Sequence, residues 1–385
     1  MRTPSARTVF LSLAGLLIGC PLLGFFGLRG FVSLHGFEAP DRLPVRSVQA
    51  VLDGSFQRGA EAHFEHLYFG RKELLLLRNG VFDLANANQY HAGFAGHIIE
   101  GKDGFLFERP YIDVRNTPEA RIHMARRDRF SAAIQECRTV RKALAARKGG
   151  AGIPTAFLLA PSKADVLADH IPDRFGPYCE NTNAVSVAYR IWPEILRKAK
   201  VPFVEPADYL SDGSSPIADF PKQGTHWTVL CAGRALAAVQ NRLPGADTAE
   251  FPFVAPTAEF RPGPDDFRDV DLGYLRNTPW SYTPRRMLHA HAVFPSASVP
   301  TGKRIFVFGD SFSEEVGLAL VRSGLYADED VEVCFNRRPP AEELLASIDR
   351  ADLVLFVYSS VSLSKPRVLW DLSAIAKCLT GPQPR

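Results

Sequence analysis

The last hundred residues constrain the fold most. Short apolar runs of strand length, RIFVF at 304–308, VEVCF at 331–335 and LVLFV at 353–357, alternate with helical stretches at 313–322 and 341–350. This alternation indicates a parallel, doubly wound α/β sheet. Ligands of such sheets bind at the carboxyl ends of the strands. The stretch FVFGDSFSEEVG, 306–317, puts Gly309, Asp310 and Ser311 at that edge. Ser311 with Glu314 has the Ser-x-x-Glu spacing of a capping box, in which hydroxyl and carboxylate satisfy free N–H groups at a helix start. A serine at a sharp strand-to-helix turn is equally placed to act as a nucleophile, with its own N–H stabilising an oxyanion. On residue types alone the cap is the default reading.

Upstream, residues 155–160 read as a buried strand and 201–205 as a short one. Residues 56–77, 129–146, 185–200 and 229–243 have helical apolar spacing, whereas 244–300 are Pro-rich without a clear period and are expected to wrap the surface. The N-terminus carries a different signal. Arg2 and Arg7 precede residues 9–28, twenty residues without a charge. That length suffices for one membrane-spanning helix, and the leading basic residues favour an exported remainder. The expected organisation is an inner-membrane anchor over 1–28, a tether over 29–58 and a periplasmic domain over 59–385. A lipid anchor at Cys20, in the lipobox-like LIGC, is the alternative. The net charge of +3 is spread along the chain, so nothing points to nucleic acid. Of six cysteines none forms a CxxC pair, so no metal site and no cofactor are expected. Cys231 and Cys334 read as buried small hydrophobes, and Cys137 with Cys179 as a bridge in an oxidising compartment.

To attack a carbonyl, Ser311 needs a base, usually histidine. GTHWT at 224–228 supplies His226, 85 residues before the serine. GDSFS resembles the GDS block of SGNH/GDSL hydrolases. A His-Trp motif followed by a late GDSFS, behind an N-terminal anchor, resembles the alginate O-acetyltransferase AlgJ/AlgX family, whose SGNH-like domain is circularly permuted. Further segments match in the same order: GKDGFLF at 101–107, with Phe105 where the family has Trp; APSKADVLADHIP at 160–172; THWTVLCAGRALA at 225–237; and DVDLG at 269–273.

The resemblance implies an SGNH-hydrolase-like fold and transfer of acetyl groups to hydroxyls of an exported polysaccharide. It implies Ser311 as the acetylated residue, His226 as general base, and a membrane-bound O-acyltransferase as the acetyl supplier. The family commonly reads Asp-Thr-His-Trp, and here Gly224 stands where that aspartate would orient the histidine. A backbone carbonyl, or a carboxylate such as Asp219 or Asp208, is expected to take over; otherwise the chain is a non-catalytic polysaccharide-binding or assembly subunit. A carbohydrate acetylesterase is the other alternative. Asp310 is expected to brace the turn and Trp227 to form a wall. Asn336 and Tyr358, at strand ends, stand where oxyanion or substrate contacts arise. Lys163 reads as a solvated loop lysine, or as a contact for an anionic sugar. His63, His66, His289 and His291 lack partners of metal-ligand type, and the last two read as surface groups.

Overall fold

The computed structural model describes residues 71–85, 89–91, 97–116, 127–175, 187–212, 215–243, 250–278, 286–296, 299–335 and 339–381. The anchor and tether segments, Cys20, Cys179, His63, His66 and Asn336 lie outside the described residues. The chain divides into two compact units: residues 1–99 with 273–282, and residues 100–272 with 283–385.

In the first unit, helix α1 (Arg71–Leu84) precedes the antiparallel pair β1 (Gln89–His91) and β2 (His97–Glu100), in which Tyr90 faces Ile98. Arg276 ties this unit together. Its guanidinium donates to Asp83 at 2.5 Å and to the Tyr90 hydroxyl at 2.9 Å, and its carbonyl accepts from Asn79 at 2.8 Å.

The second unit holds β3 (Leu106–Glu108), β4 (Thr155–Ala160), β5 (Phe203–Val204), β6 (Thr257–Pro262), β7 (Leu288–Val293), β8 (Ile305–Gly309), β9 (Val331–Phe335) and β10 (Leu353–Ser359). Its sheet has the order β5-β4-β10-β8-β9, with every pair parallel. Its helices are α2 (Arg109–Asn116), α3 (Arg127–Ala145), α4 (Lys163–Val166), α5 (Val187–Ala199), α6 (Pro216–Asp219), α7 (Val229–Gln240), the start of α8 (Asp271–Leu275), α9 (Ser313–Arg322), α10 (Ala341–Arg350), α11 (Ser360–Leu363) and α12 (Arg367–Thr380). The parallel α/β architecture expected from the last hundred residues is therefore present.

The period of two along each strand sorts its side chains between the two faces. Phe157, Phe308, Phe356 and Tyr358 join the core formed with α3, α5 and α12. The Phe157 and Phe356 rings, in register on neighbouring strands, stack at 4.7 Å, and Phe308 meets Phe356 edge-on at 6.4 Å. Each such pair adds about 0.5–1.5 kcal/mol beyond the area it buries. On α3, Ala133, Cys137, Val140 and Leu144 recur at helical spacing and face this core.

Three expectations change. Cys137 carries a free thiol within the core, and burial pushes it up to about 12. Cys231 and Cys334 are free and buried as expected. Under native conditions iodoacetamide should leave all three unmodified, and unfolding should expose them together, as peptide mass mapping can read. The Pro-rich stretch contains an antiparallel ribbon, β6 with β7, pairing Glu259 with His291 and Arg261 with His289. Both histidines are buried rather than at the surface. One ring nitrogen of His291 lies 3.1 Å from Asp265 Oδ1 and the other 2.9 Å from the Gly263 carbonyl. Burial lowers His289 to about 4.

Candidate active site

The strand β8 ends at Gly309, where the chain lies tight against β10. A Cβ at 309 would collide with the Val357 carbonyl oxygen, which accepts the Asp310 N–H at 3.1 Å. Asp310 then braces the turn. One oxygen accepts the Phe312 N–H at 3.1 Å, and the other accepts the Ser359 N–H and hydroxyl, both at 2.7 Å. Ser311 follows, half-buried, before α9 begins at Ser313. Phe312, not Ser311, is the N-cap residue, and no side chain caps this helix. Glu314, the other half of the expected capping box, accepts instead from Arg268 at 2.8 Å. The Ser311 hydroxyl meets His226: Nε2 lies 2.9 Å from Oγ.

His226 sits on a loop before α7, whose N-cap Thr228 accepts from the Cys231 N–H at 3.0 Å. Many bonds pin that loop. The Lys163 ammonium, buried beneath it, donates to the carbonyls of Pro221 at 2.5 Å, Lys222 at 2.9 Å and Gly224 at 2.8 Å. The Phe105 and Phe107 rings flank that ammonium at 5.5 and 5.6 Å. The Lys222 carbonyl also accepts the Leu106 N–H at 2.7 Å, and Gln223 donates to the Gly104 carbonyl at 2.9 Å. Lys163 is thus neither solvated nor free to meet a sugar.

The segments GKDGFLF and APSK, far apart in sequence, converge under the histidine. Trp227 is a buried wall residue that donates to the Phe312 carbonyl at 3.1 Å, tying the two motifs together. The Phe312 ring in turn meets the His226 imidazole edge-on at 5.0 Å.

Gly224 explains the departure from Asp-Thr-His-Trp. It is buried, and a Cβ on it would overlap the Arg268 carbonyl oxygen and stand 2.8 Å from Pro221 and 2.9 Å from the Asp269 backbone. No aspartate fits there. The substitutes suggested by the sequence are occupied elsewhere. Asp219 accepts the Ser211 N–H and hydroxyl and lies 3.5 Å from Arg234, while Asp208 pairs with Arg242 at 2.7 Å. Tyr358 also leaves the site, because the strand's period turns it into the helical core, where its hydroxyl faces Asp371 at 3.4 Å.

The carboxylates beside His226 Nδ1 are Asp271 Oδ2 and Glu315 Oε1, each 3.9 Å away. Neither was evident in the sequence, although Asp271 lies inside the DVDLG segment. Nδ1 itself is buried without a hydrogen bond. Burial, reinforced by the Arg268 charge, lowers His226 to about 3. Burial raises Asp271 to about 7, with the Glu108 charge adding to it, and the N–H groups of Thr225 and Leu272 oppose the rise. Glu315 is pushed well above the carboxylate range by burial, which Arg268 only partly offsets. A neutral imidazole with a serine hydroxyl on one nitrogen and acidic groups near the other is equipped for proton transfer to and from that hydroxyl.

A family model described as "SGNH hydrolase-like domain, acetyltransferase AlgX" matches residues 98–316, more than half of the chain. No curated protein matches. Among solved structures, the O-acetyltransferase domain of Pseudomonas putida AlgJ is 17% identical. That match covers 71% of this chain and 98% of that one, with a TM-score of 0.43. Pseudomonas aeruginosa AlgX is 15% identical over 73% of this chain and 70% of its own, with a TM-score of 0.43. The family match spans both GTHWT and GDSF, and this chain belongs to the AlgX family of SGNH hydrolase-like acetyltransferases.

Proposed function

We propose that the protein transfers acetyl groups to hydroxyls of an exported polysaccharide through an acetyl-Ser311 intermediate. The observation that carries the mechanism is the 2.9 Å approach of His226 Nε2 to Ser311 Oγ at the carboxyl edge of the parallel sheet. In the first half-reaction Ser311 Oγ attacks the carbonyl carbon of an acetyl ester or thioester, and Nε2 takes the hydroxyl proton. The donor's leaving group departs and receives that proton from the imidazolium. In the second, a sugar hydroxyl attacks the acetyl-serine carbonyl and gives its proton to Nε2. Ser311 Oγ then leaves and takes the proton back. His226 is neutral at the start of each half-reaction because burial keeps it so.

The same reading extends to the cell. Residues 9–28 act as a single inner-membrane anchor, the tether is 29–58, and the catalytic body, 59–385, works in the periplasm beside a membrane-bound O-acyltransferase that delivers acetyl groups. The uncharged run behind Arg2 and Arg7 supports this. Among the described residues no helix is long and apolar enough to cross a membrane. With His226 preceding Ser311 in the chain, the domain is a circular permutation of the SGNH order.

Incubating the full-length chain with p-nitrophenyl acetate tests the chemistry. Intact mass should show one added acetyl group, mapped to Ser311 and absent from Ser311→Ala. Equal acetylation of both proteins would defeat the mechanism, and a non-catalytic subunit would then be the better description. Rapid loss of the acetyl group to water, unaltered by added polysaccharide, would identify an esterase instead.

A further inference from the structure

The structure assigns to Asp271 the positioning of His226, in place of the aspartate that Gly224 cannot be. This inference rests on the mechanism above. Three observations carry it. First, Asp271 Oδ1 is fixed by two backbone donors, the N–H of Thr225 at 2.9 Å and its neighbour Leu272's at 2.6 Å. Thr225 directly precedes His226, so carboxylate and imidazole are held in one frame. Second, the other oxygen, Oδ2, stands 3.9 Å from Nδ1, a buried nitrogen without a hydrogen bond. Closing that gap to about 2.8 Å makes a charge-assisted bond, and such tightening on reaching the reactive complex is ordinary for catalytic contacts. Third, the space an aspartate at 224 would need is filled by the chain at Arg268 and Asp269, which leads directly into Asp271.

Glu315 is the competitor at equal distance. Neither of its oxygens has a hydrogen bond, and Arg268 Nε faces one of them at 3.4 Å. No backbone donor from the His226 loop fixes its position relative to Nδ1, and its charged form is favoured by Arg268 and its own backbone N–H against a dominant burial cost. Asp271 has backbone donors for both purposes. Its charge matters because Arg268 disfavours the imidazolium that forms when Nε2 takes the serine proton. An ionised Asp271 keeps the proton on Nδ1 in the resting state, so that Nε2 is free to act as a base, and offsets Arg268 in the transition state. The charged and titratable groups around it are Glu108 on β3, Tyr111 on α2, Lys163 on α4, Glu315 on α9, Arg268 and His226. Since Asp271 is raised to about 7, it becomes protonated as pH falls through neutrality, and the rate should fall with it.

The test compares Asp271→Asn with Glu315→Gln in the full-length chain. Asparagine keeps an oxygen for the Thr225 and Leu272 N–H groups. Asp271→Asn should slow acetyl-Ser311 formation from p-nitrophenyl acetate by about 10²–10⁴-fold and abolish the acid limb near pH 7. Glu315→Gln should cost less than tenfold and keep the limb. If Asp271→Asn does not fold, Asp271→Ser replaces it. Nitrogen-15 NMR of His226 reads the same claim without turnover: wild type should hold the proton on Nδ1, and the Asp271 variant should shift toward the other tautomer. An unchanged tautomer, or a larger effect from Glu315→Gln, overturns the assignment of Asp271. Failure of wild-type acetylation at Ser311 overturns the mechanism instead, and the tautomer measurement still decides the role of Asp271.

Discussion

His226→Ala is expected to slow acetyl-Ser311 formation by about 10²–10⁴-fold, the usual contribution of a positioned general base. The ring is 13% exposed and touches Ser311 through Nε2, so alanine leaves the serine proton with no acceptor in place. Time-resolved intact mass measures the rate, and a variant within tenfold of wild type would remove the histidine from the mechanism. The same substitution should change acid stability. The imidazole titrates near 6.5 when unfolded and about 3 when folded. Between those values the unfolded chain binds more protons, so wild-type stability rises with pH across that window and is lost as pH falls through it. Alanine removes that contribution. Urea unfolding at pH 4 and pH 7 should therefore show a smaller pH difference for His226→Ala than for wild type.

What could be read from the sequence divides along the range of the interactions involved. The central strands were legible because each is buried on both faces and reads as an apolar run, as at 305–309 and 353–359. The β6–β7 ribbon was not. TAEFRP is exposed along its whole length, and its partner LHAHAV lies beyond a segment of 25 residues. Ser311 and Glu314 had the spacing of a capping box, yet tertiary partners claimed both: His226 the hydroxyl and Arg268 the carboxylate. The order of motifs pointed to His226 and Ser311, and the structure brings them together. It gave no hint that Asp271 would face Nδ1, because the Thr225–Asp271 bond spans 46 positions. At the level of residue types Gly224 left a backbone carbonyl, another carboxylate or a non-catalytic chain open. Its meaning lies in the backbone pressed against it.

Lys163→Met should have the largest effect on stability, about 3–5 kcal/mol. The ammonium has three N–H groups and three carbonyl acceptors, and methionine fills the space without donating to any of them. The Lys222 carbonyl keeps the Leu106 N–H, but the Pro221 and Gly224 carbonyls lose the ammonium at about 1–3 kcal/mol each, and lost contact with Phe105 and Phe107 adds to this. Arginine should not restore the site, since a planar guanidinium cannot direct donors to three carbonyls arranged around a point charge. Burial lowers this lysine to about 7 while Asp271 and Asp269 hold it up. Urea titration should show a lower midpoint for Lys163→Met with an unchanged slope. Where that variant remains folded, acetyl-Ser311 formation should still be slower than in wild type. The three carbonyls belong to the loop that carries His226, and a loop released from Lys163 no longer holds Nε2 at bonding distance from Ser311. Equal stability of Lys163→Met and wild type would mean that the loop is held by its other bonds alone.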